Sequence, residues 1–305
     1  MSLDRRGFLG GSDIGPLIGQ SPYKDAFGLY LEKRGEIEPP EEETKVQRRG
    51  RILEPAIGQM YAAEHNRVLL PGETFAVDEP WQRAQVDAIE HFTDGVIDVR
   101  VPVEIKSASE FARGKWGPSG TDEAPTAYCA QLHWQMAAMR APFGRIVALL
   151  GADDLRVYTI DRDWAIDAFL QEQARAFWQR VLDGNAPEPN FQHPSIAETL
   201  SRLFQNPKAA EILQATPQLT AWRDVMVEAG EQEKRYQGIK DGAKAHLLHA
   251  MGNAAIINFG EQMFERKVIN RAGYTVAPTT YVAGTLKKST VAGALPALLT
   301  NEVAA

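Results

Sequence analysis

The chain has 305 residues, of which 44% are hydrophobic and 24% are charged, and this is the composition of a soluble globular protein with a sizeable core. No run approaches about 18 apolar residues, which excludes a transmembrane helix, and the N-terminus lacks the apolar segment and cleavage site of a secretory signal. The single cysteine, Cys129, excludes an internal disulfide and fits a reducing compartment, so we expect a cytoplasmic protein without a membrane partner.

The formal net charge of −7 argues against non-specific nucleic-acid binding by the chain as a whole. The charge is unevenly distributed, because residues 191–305 carry 12 Lys and Arg against 10 Asp and Glu, which leaves −9 for residues 1–190. An acidic region joined to a basic one suits an enzyme that binds metal ions in one place and a polyanion nearby.

Helix and strand signals are mixed in the first 190 residues. The pattern predicts helices over 14–20 (capped by Ser12 and Asp13), 25–34, 45–66, 124–140 and 163–182. It predicts strands over 68–70, 74–77, 83–89, 96–106, 145–150 and 156–160, with a tight turn at Thr93-Asp94-Gly95. This order predicts an α/β fold in which helices flank a mixed sheet.

The segment Leu182–Asn190, which contains one glycine and two prolines, marks a boundary between two domains, 1–190 and 191–305. The second domain is predicted to be an α+β appendage, with a helix over 217–251 and short strands over 254–259, 263–269 and 274–277. Residues 284–305 show no clear period, and we expect them to form a mobile tail.

The most informative segment is 85–106, where charged residues lie on predicted strands. Glu104 and Lys106 are two residues apart in a β run, so both side chains leave the same face of the sheet. Asp87 lies on the preceding predicted strand, which the turn pairs with the next one. Two carboxylates bind a hard divalent ion through oxygen, and a neighbouring lysine orients an attacking water. This set indicates metal-assisted phosphodiester hydrolysis.

The Glu-x-Lys pattern is weak evidence by itself, because it occurs at Glu43, Glu104 and Glu265. Only the Glu104 copy follows an aspartate on a paired strand, and the alternative is a solvated salt bridge at a strand edge.

Two further residues strengthen the interpretation. Glu54 lies on a helix face that is otherwise predicted to be apolar through Ile52, Ala56, Met60 and Ala63, where a carboxylate is costly unless it binds a cation or strong donor. The alternative for Glu54 is an exposed helical position. Gln131 and Gln135 are four apart on a predicted helix and share a face, for which the alternative is solvation.

Taken in order, Glu54, Asp87, Glu104-x-Lys106 and Tyr128-x-x-Gln131 resemble the PD-(D/E)XK nucleases. The N-terminal run from Arg5 to Ile14, followed by Ser21-Pro22-Tyr23, resembles more narrowly the YqaJ-type viral recombinases, a branch related to phage lambda exonuclease. The resemblance covers about residues 5–182. It departs at Val86, which stands where the name-giving proline would be, but that proline is not a ligand.

The resemblance implies a restriction-endonuclease-like core and a Mg²⁺-dependent deoxyribonuclease, with Mn²⁺ as a substitute. It implies that Glu54, Asp87, Glu104 and the carbonyl of Ile105 bind metal. Lys106 would position the water, Gln131 would orient that water or Lys106, and Arg5 and Ser12 would contact the terminal 5′ phosphate. The implied activity is 5′→3′ digestion of duplex DNA in phage-type recombination within a bacterial host.

The resemblance also makes a ring-shaped homo-oligomer and a single-strand annealing partner plausible. Two alternatives stay open: a nuclease of the same fold that acts on single-stranded or branched DNA, and a catalytically retired DNA-binding or assembly protein.

Overall fold

The computed structural model describes residues 5–38, 43–95, 97–206 and 212–267. Its α-helices are α1 (Gly11–Leu17), α2 (Ala26–Arg34), α3 (Lys45–His65), α4 (Thr126–Met139), α5 (Trp164–Asp183), α6 (Ile196–Leu203) and α7 (Pro217–Met251). Its strands are β1 (Val68–Pro71), β2 (Thr74–Ala76), β3 (Arg83–Gln85), β4 (Ala88–Asp94), β5 (Ile97–Ala108), β6 (Phe143–Leu150), β7 (Asp154–Asp161), β8 (Ile256–Asn258) and β9 (Met263–Glu265). A 3-10 helix covers Glu110–Lys115.

Five strands form the central sheet in the order β1-β4-β5-β6-β7. The β5–β6 pair is parallel, because α4 crosses over between these strands, and the other three pairs are antiparallel. The predicted turn between β4 and β5 is present, with Gly95 at φ +66°. The mixed sheet flanked by helices confirms the predicted α/β fold class.

Helices cover both faces of the sheet. The α3 face packs Ile57 and Tyr61 against Val103, Ile105 and other strand residues. The α4 face packs another cluster, which includes Leu132, Met136, Ile146, Ala148 and Tyr158. Because both faces are covered, the strand β5 is buried continuously from Val101 to Ile105.

The buried face of α3 differs from the predicted one. Ile52, Ala56 and Ala63 of the predicted stripe are exposed, whereas Ile57, Gly58 and Tyr61 are buried. Gly58 matters here because a Cβ at this position would lie 3.2 Å from Cδ1 of Ile105, so the glycine lets α3 approach β5 closely. The apolar stripe was therefore the wrong guide to the orientation of this helix.

The contacts divide the described part of the chain into two units, with the division between Gln205 and Asn206. The predicted boundary was earlier, at residue 190, but α6 belongs to the first unit because Ile196 packs into the core formed with α2 and α5. The second unit contains α7 as predicted and the two-stranded β8–β9 sheet, in which Ile256 is opposite Glu265. The predicted strand 274–277 and the predicted tail 284–305 lie outside the described residues.

Among the described helices, none is long and apolar enough to cross a membrane.

Candidate active site

The acidic part of the site forms where β4 and β5 pair. The sequence predicted one strand over 83–89, but β3 ends at Gln85 and β4 begins at Ala88, so Asp87 lies in the bend between them. Ala88 is paired with Val103, which places Asp87 next to Glu104. The Oδ2 atom of Asp87 accepts a hydrogen bond from the Ile105 backbone N–H at 2.8 Å.

Glu104 is fully buried on the face of β5 that α4 covers, and its carboxylate accepts three side-chain hydrogen bonds. Lys106 Nζ and Gln131 Nε2 donate to Oε1, the latter at 2.6 Å, and Gln135 Nε2 donates to Oε2 at 2.6 Å. Lys106, two residues along the strand, and Gln131 and Gln135, four residues apart on the helix, therefore all bind the Glu104 carboxylate. The charge of Lys106 and the three hydrogen bonds compensate the cost of burying this carboxylate.

Gln135 is a site residue that the sequence analysis did not select, although its spacing from Gln131 was the signal. It is fully buried, and its Nε2 also donates to the Gln85 carbonyl at 2.9 Å. Its Oε1 has no hydrogen-bond partner among the described residues. Gln135 thus ties β3, Glu104 and α4 together and leaves one buried acceptor for a further donor or cation.

Lys106 is held by charge on one side and by an aromatic ring on the other. Its Nζ lies 5.1 Å from the ring centroid of Tyr128, which in turn stacks on Trp116 at 5.4 Å. Burial would lower the pKa of Lys106, but the charges of Glu104 and Asp87 outweigh burial and raise the pKa, so the ammonium is retained.

The carboxylate site, defined as Glu54, Asp87 and Glu104, holds more negative charge than Lys106 offsets. Burial, followed by the Glu104 charge, raises the pKa of Asp87 to about 8, although Lys106 acts in the opposite direction. Burial and the Glu104 charge also raise the pKa of half-buried Glu54. The structure therefore brings Glu54 within electrostatic range of Glu104 and Asp87.

The shortage of positive charge fits a divalent cation, and the oxygen donors are those that Mg²⁺ prefers. In the described part of the chain, however, no three Asp, Glu, His or Cys side chains form a ready-made metal cluster. Both Glu104 oxygens are instead turned to Lys106 and the two glutamines. The donor set of Glu54, Asp87 and Glu104 therefore suits a metal ion in its chemistry.

The predicted phosphate site, defined as Arg5 and Ser12, is assembled at the start of α1. Arg5 Nη2 donates to Ser12 Oγ at 2.8 Å and lies 3.4 Å from Asp13 Oδ2. Ser12 is exposed, and about half of the Arg5 side chain is exposed. One detail differs from the prediction, because the helix begins at Gly11 and Ser12 is not its cap. Asp13 fills that role by accepting from the Gly10 N–H at 2.9 Å.

Lys33 positions Arg5 in the predicted phosphate site. Its only signal in the sequence was that of a charged residue near the end of a helix. Its buried Nζ donates to the carbonyls of Arg5 at 2.9 Å and Phe8 at 2.6 Å, and to Asp13 Oδ2 at 2.8 Å. Burial would raise the pKa of Asp13, but Lys33 and Arg5 outweigh it and lower that pKa. Lys33 therefore anchors both ends of the loop that presents Arg5.

The phosphate site and the carboxylate site share a helix contact. A Cβ at Gly11 would lie 3.1 Å from Cγ of Gln131, and one at Gly15 would lie 3.3 Å from Cβ of Ala127. Hence α1 packs directly on the face of α4 that holds Glu104. Ser12 is one residue from that contact.

The mixed sheet, with Asp87 before β4 and the Glu104-x-Lys106 pair on β5 beside a parallel neighbour, is the arrangement that the resemblance to the PD-(D/E)XK nucleases led us to expect. The YqaJ-like viral recombinase domain matches residues 2–141, which contain every predicted site residue. This match confirms the resemblance to the YqaJ-type viral recombinases, although it ends before residue 182.

Individual relatives are distant. The uncharacterized protein YqaJ of Bacillus subtilis (strain 168) is 21% identical over 190 residues, or 61% of this chain, and the chain spans 57% of that protein. An alkaline exonuclease (LHK-Exo) from Laribacter hongkongensis aligns with 16% identity and a TM-score of 0.46 over 59% of this chain and 91% of that one. Its complex with dAMP aligns over the same shares with 18% identity and a TM-score of 0.44.

Proposed function

We propose that this protein is a divalent-metal-dependent deoxyribonuclease, and specifically a 5′→3′ exonuclease on duplex DNA in phage-type recombination. The observation that carries the proposal is the packing of α1 on α4. It brings Gly11, the residue before Ser12, against Gln131, which itself donates to Glu104. A side-chain pair suited to a phosphate, Arg5 and Ser12, thus lies at the start of a helix that packs beside carboxylates short of positive charge.

The proposed metal ligands are the carboxylate site and the carbonyl of Ile105, with Mg²⁺ as the ion and Mn²⁺ as a substitute. A bound divalent ion supplies an activated water and neutralises charge on the phosphodiester. Lys106, which keeps its proton, orients the water and stabilises the developing negative charge. Gln131 and Gln135 hold Glu104 in place through both carboxylate oxygens.

The phosphate site is proposed to select the DNA end. Arg5 grips a phosphate through paired N–H groups, and the Ser12 hydroxyl adds a neutral donor. A terminal phosphate carries more charge than an internal one, so this site favours 5′-phosphorylated ends. By resemblance, we extend the proposal to a ring-shaped homo-oligomer and a single-strand annealing partner.

The test is digestion of four labelled substrates side by side in Mg²⁺: 5′-phosphorylated duplex, 5′-hydroxyl duplex, single-stranded DNA and branched DNA. We expect nucleotides to be released progressively from the 5′-phosphorylated strand of the duplex, and EDTA to stop the reaction. Faster digestion of single-stranded or branched DNA would replace the duplex assignment. Absence of cleavage on all four substrates would identify a retired DNA-binding protein.

A further inference from the structure

The first turns of α3 carry a concentration of positive charge in an otherwise acidic chain. The run Lys45–Arg51 contains one lysine, three arginines and no carboxylate. Lys45, Arg48 and Arg49 are exposed, and with Ile52 and Leu53 they line an open groove of about 470 Å³. The spacing of these five residues places them along one face of the helix. We call the three cations the α3 stripe.

The charge of the α3 stripe opposes the electrostatics of its own helix. The start of an α-helix carries a partial positive charge, which carboxylates stabilise and cations destabilise. The first turn of α3 contains no acidic residue. A helix selected only for stability would place Asp or Glu here, so the stripe has no evident structural purpose.

Few of the positive charges of the α3 stripe are paired with other residues in the described part of the chain. Glu43 accepts hydrogen bonds from Arg51, which lies off the stripe, at 3.2 and 3.0 Å. Arg49 donates one long bond of 3.5 Å to the Gly151 carbonyl. Lys45 and Arg48 form no hydrogen bond or ion pair with any residue that the structure describes, although Arg48 acts on Glu43 at longer range.

The α3 stripe lies close to the carboxylate site. A Cβ at Gly50 would lie 3.8 Å from Oγ of Ser107, the residue that follows Lys106. Arg49 precedes Glu54 by about 7.5 Å along the helix axis, given about 1.5 Å per residue. From Lys45 to Arg49 the stripe extends about 6 Å, which corresponds to about two phosphates of one strand measured along the duplex axis, at about 3.4 Å each.

We infer that the α3 stripe contacts the phosphates of the DNA strand that extends from the scissile bond. This inference rests on the proposed function and adds a binding track to it. Charge complementarity selects the occupant, because three exposed cations beside an apolar floor of Ile52 and Leu53 suit phosphates and sugars. A contact of this kind is independent of base sequence, because phosphates carry no sequence information.

The test compares two double variants with the same loss of charge. Arg48→Gln/Arg49→Gln removes two cations of the stripe. Arg175→Gln/Arg180→Gln removes two exposed cations from α5, of which Arg175 donates to exposed Asp78 at 3.2 Å. Fluorescence anisotropy with a 5′-phosphorylated duplex in Ca²⁺ gives the dissociation constant from 50 to 200 mM salt, and thermal unfolding checks the fold.

For the stripe variant we expect roughly tenfold weaker binding and a salt slope lower by about two, because each phosphate contact contributes about 0.9 to the slope. Its unfolding temperature should equal or exceed that of the wild type, because the removal of two cations from the start of α3 removes their unfavourable interaction with the helix dipole. In Mg²⁺, its KM should rise more than its kcat falls. The α5 variant should bind like the wild type.

Equal affinities and slopes for the two double variants would overturn the inference, while cleavage by the wild type would keep the proposed function intact. Conversely, a binding loss restricted to the stripe variant, without cleavage by any protein in Mg²⁺, would support the track and reject the nuclease. A lower unfolding temperature for the stripe variant alone would assign the stripe a structural role and also overturn the inference.

Discussion

The carboxylate site and the phosphate site have opposite charge imbalances. In the first, burial and Glu104 raise the pKa of Asp87 to about 8, although Lys106 acts in the opposite direction. In the second, Lys33 and Arg5 lower the pKa of Asp13 in spite of burial, because two cations surround one carboxylate. The two pKa shifts have opposite directions because the balance of charge differs between the sites. This contrast is what the proposed metal site and the proposed phosphate site require.

The largest effect is expected from removal of Asp87, the carboxylate whose pKa is raised to about 8. Asp87→Ala should reduce cleavage in Mg²⁺ by at least about 10³-fold, because the proposed metal loses a ligand. DNA binding in Ca²⁺ should persist or tighten, since a buried negative charge is gone. Gel-based cleavage and anisotropy measure the two effects separately. Cleavage at the wild-type rate would place the metal elsewhere.

Lys106→Ala removes the cation whose charge interacts with those of Glu104 and Asp87. Loss of one preorganised charge of this kind typically costs about 10²–10³ in rate, so kcat should fall by that order under single-turnover conditions. Lys115→Ala, which changes an exposed lysine of the 3-10 helix, is the matched control and should cleave normally. If the two variants had equal kcat, Lys106 would serve only to neutralise Glu104.

The phosphate site is tested by the identity of the DNA end. Arg5→Ala should slow digestion of 5′-phosphorylated duplex by roughly 10–100-fold, the usual range for a charge-assisted hydrogen bond, and should affect 5′-hydroxyl duplex much less. Arg6→Ala is a sequence-adjacent control, because Arg6 forms an ion pair with exposed Glu38 at 3.5 Å. Equal wild-type rates on the two ends would remove the exonuclease-specific interpretation and leave the carboxylate site untouched.

The smallest expected effect is on stability and follows from the sign of the Asp87 shift. A pKa raised to about 8 means that the folded state binds this proton more tightly than the unfolded state does. Its contribution to stability is therefore full below about pH 4 and is lost as the pH rises towards 8. In EDTA, the unfolding temperature of Asp87→Asn relative to the wild type should rise between pH 5 and pH 9.

Saturating Mg²⁺ should reverse that trend, because the metal binds the ionised Asp87 of the wild type and finds a poorer ligand in the variant. Thermal unfolding with and without the ion measures both trends. A pH-independent difference in EDTA would show that Asp87 is not destabilised as an anion in the folded state.

Local periodicity was enough to predict part of the site. The two-residue repeat of a strand places Glu104 and Lys106 on one face, and the four-residue repeat of a helix does the same for Gln131 and Gln135. The Arg5–Ser12 pair is nearly as local, since a short loop and the first turn of α1 bring the two side chains to 2.8 Å. These relations depend on backbone geometry that neighbouring residues impose on one another.

Other features depended on packing between distant segments. Ile57 and Tyr61 are buried while Ile52 is exposed, and only the contact of α3 with β5 decides this. A helix packs on a sheet through the face whose side chains fit the strands. Only tertiary contacts make Lys33 an anchor for Arg5, and only the core around Ile196 extends the first unit to Gln205. The sequence by itself determined the local pairings of Glu104 with Lys106 and of Gln131 with Gln135, because these depend only on the repeat of a strand or a helix. The tertiary structure decided which of the charged side chains are buried, and through burial it decided the direction of their pKa shifts.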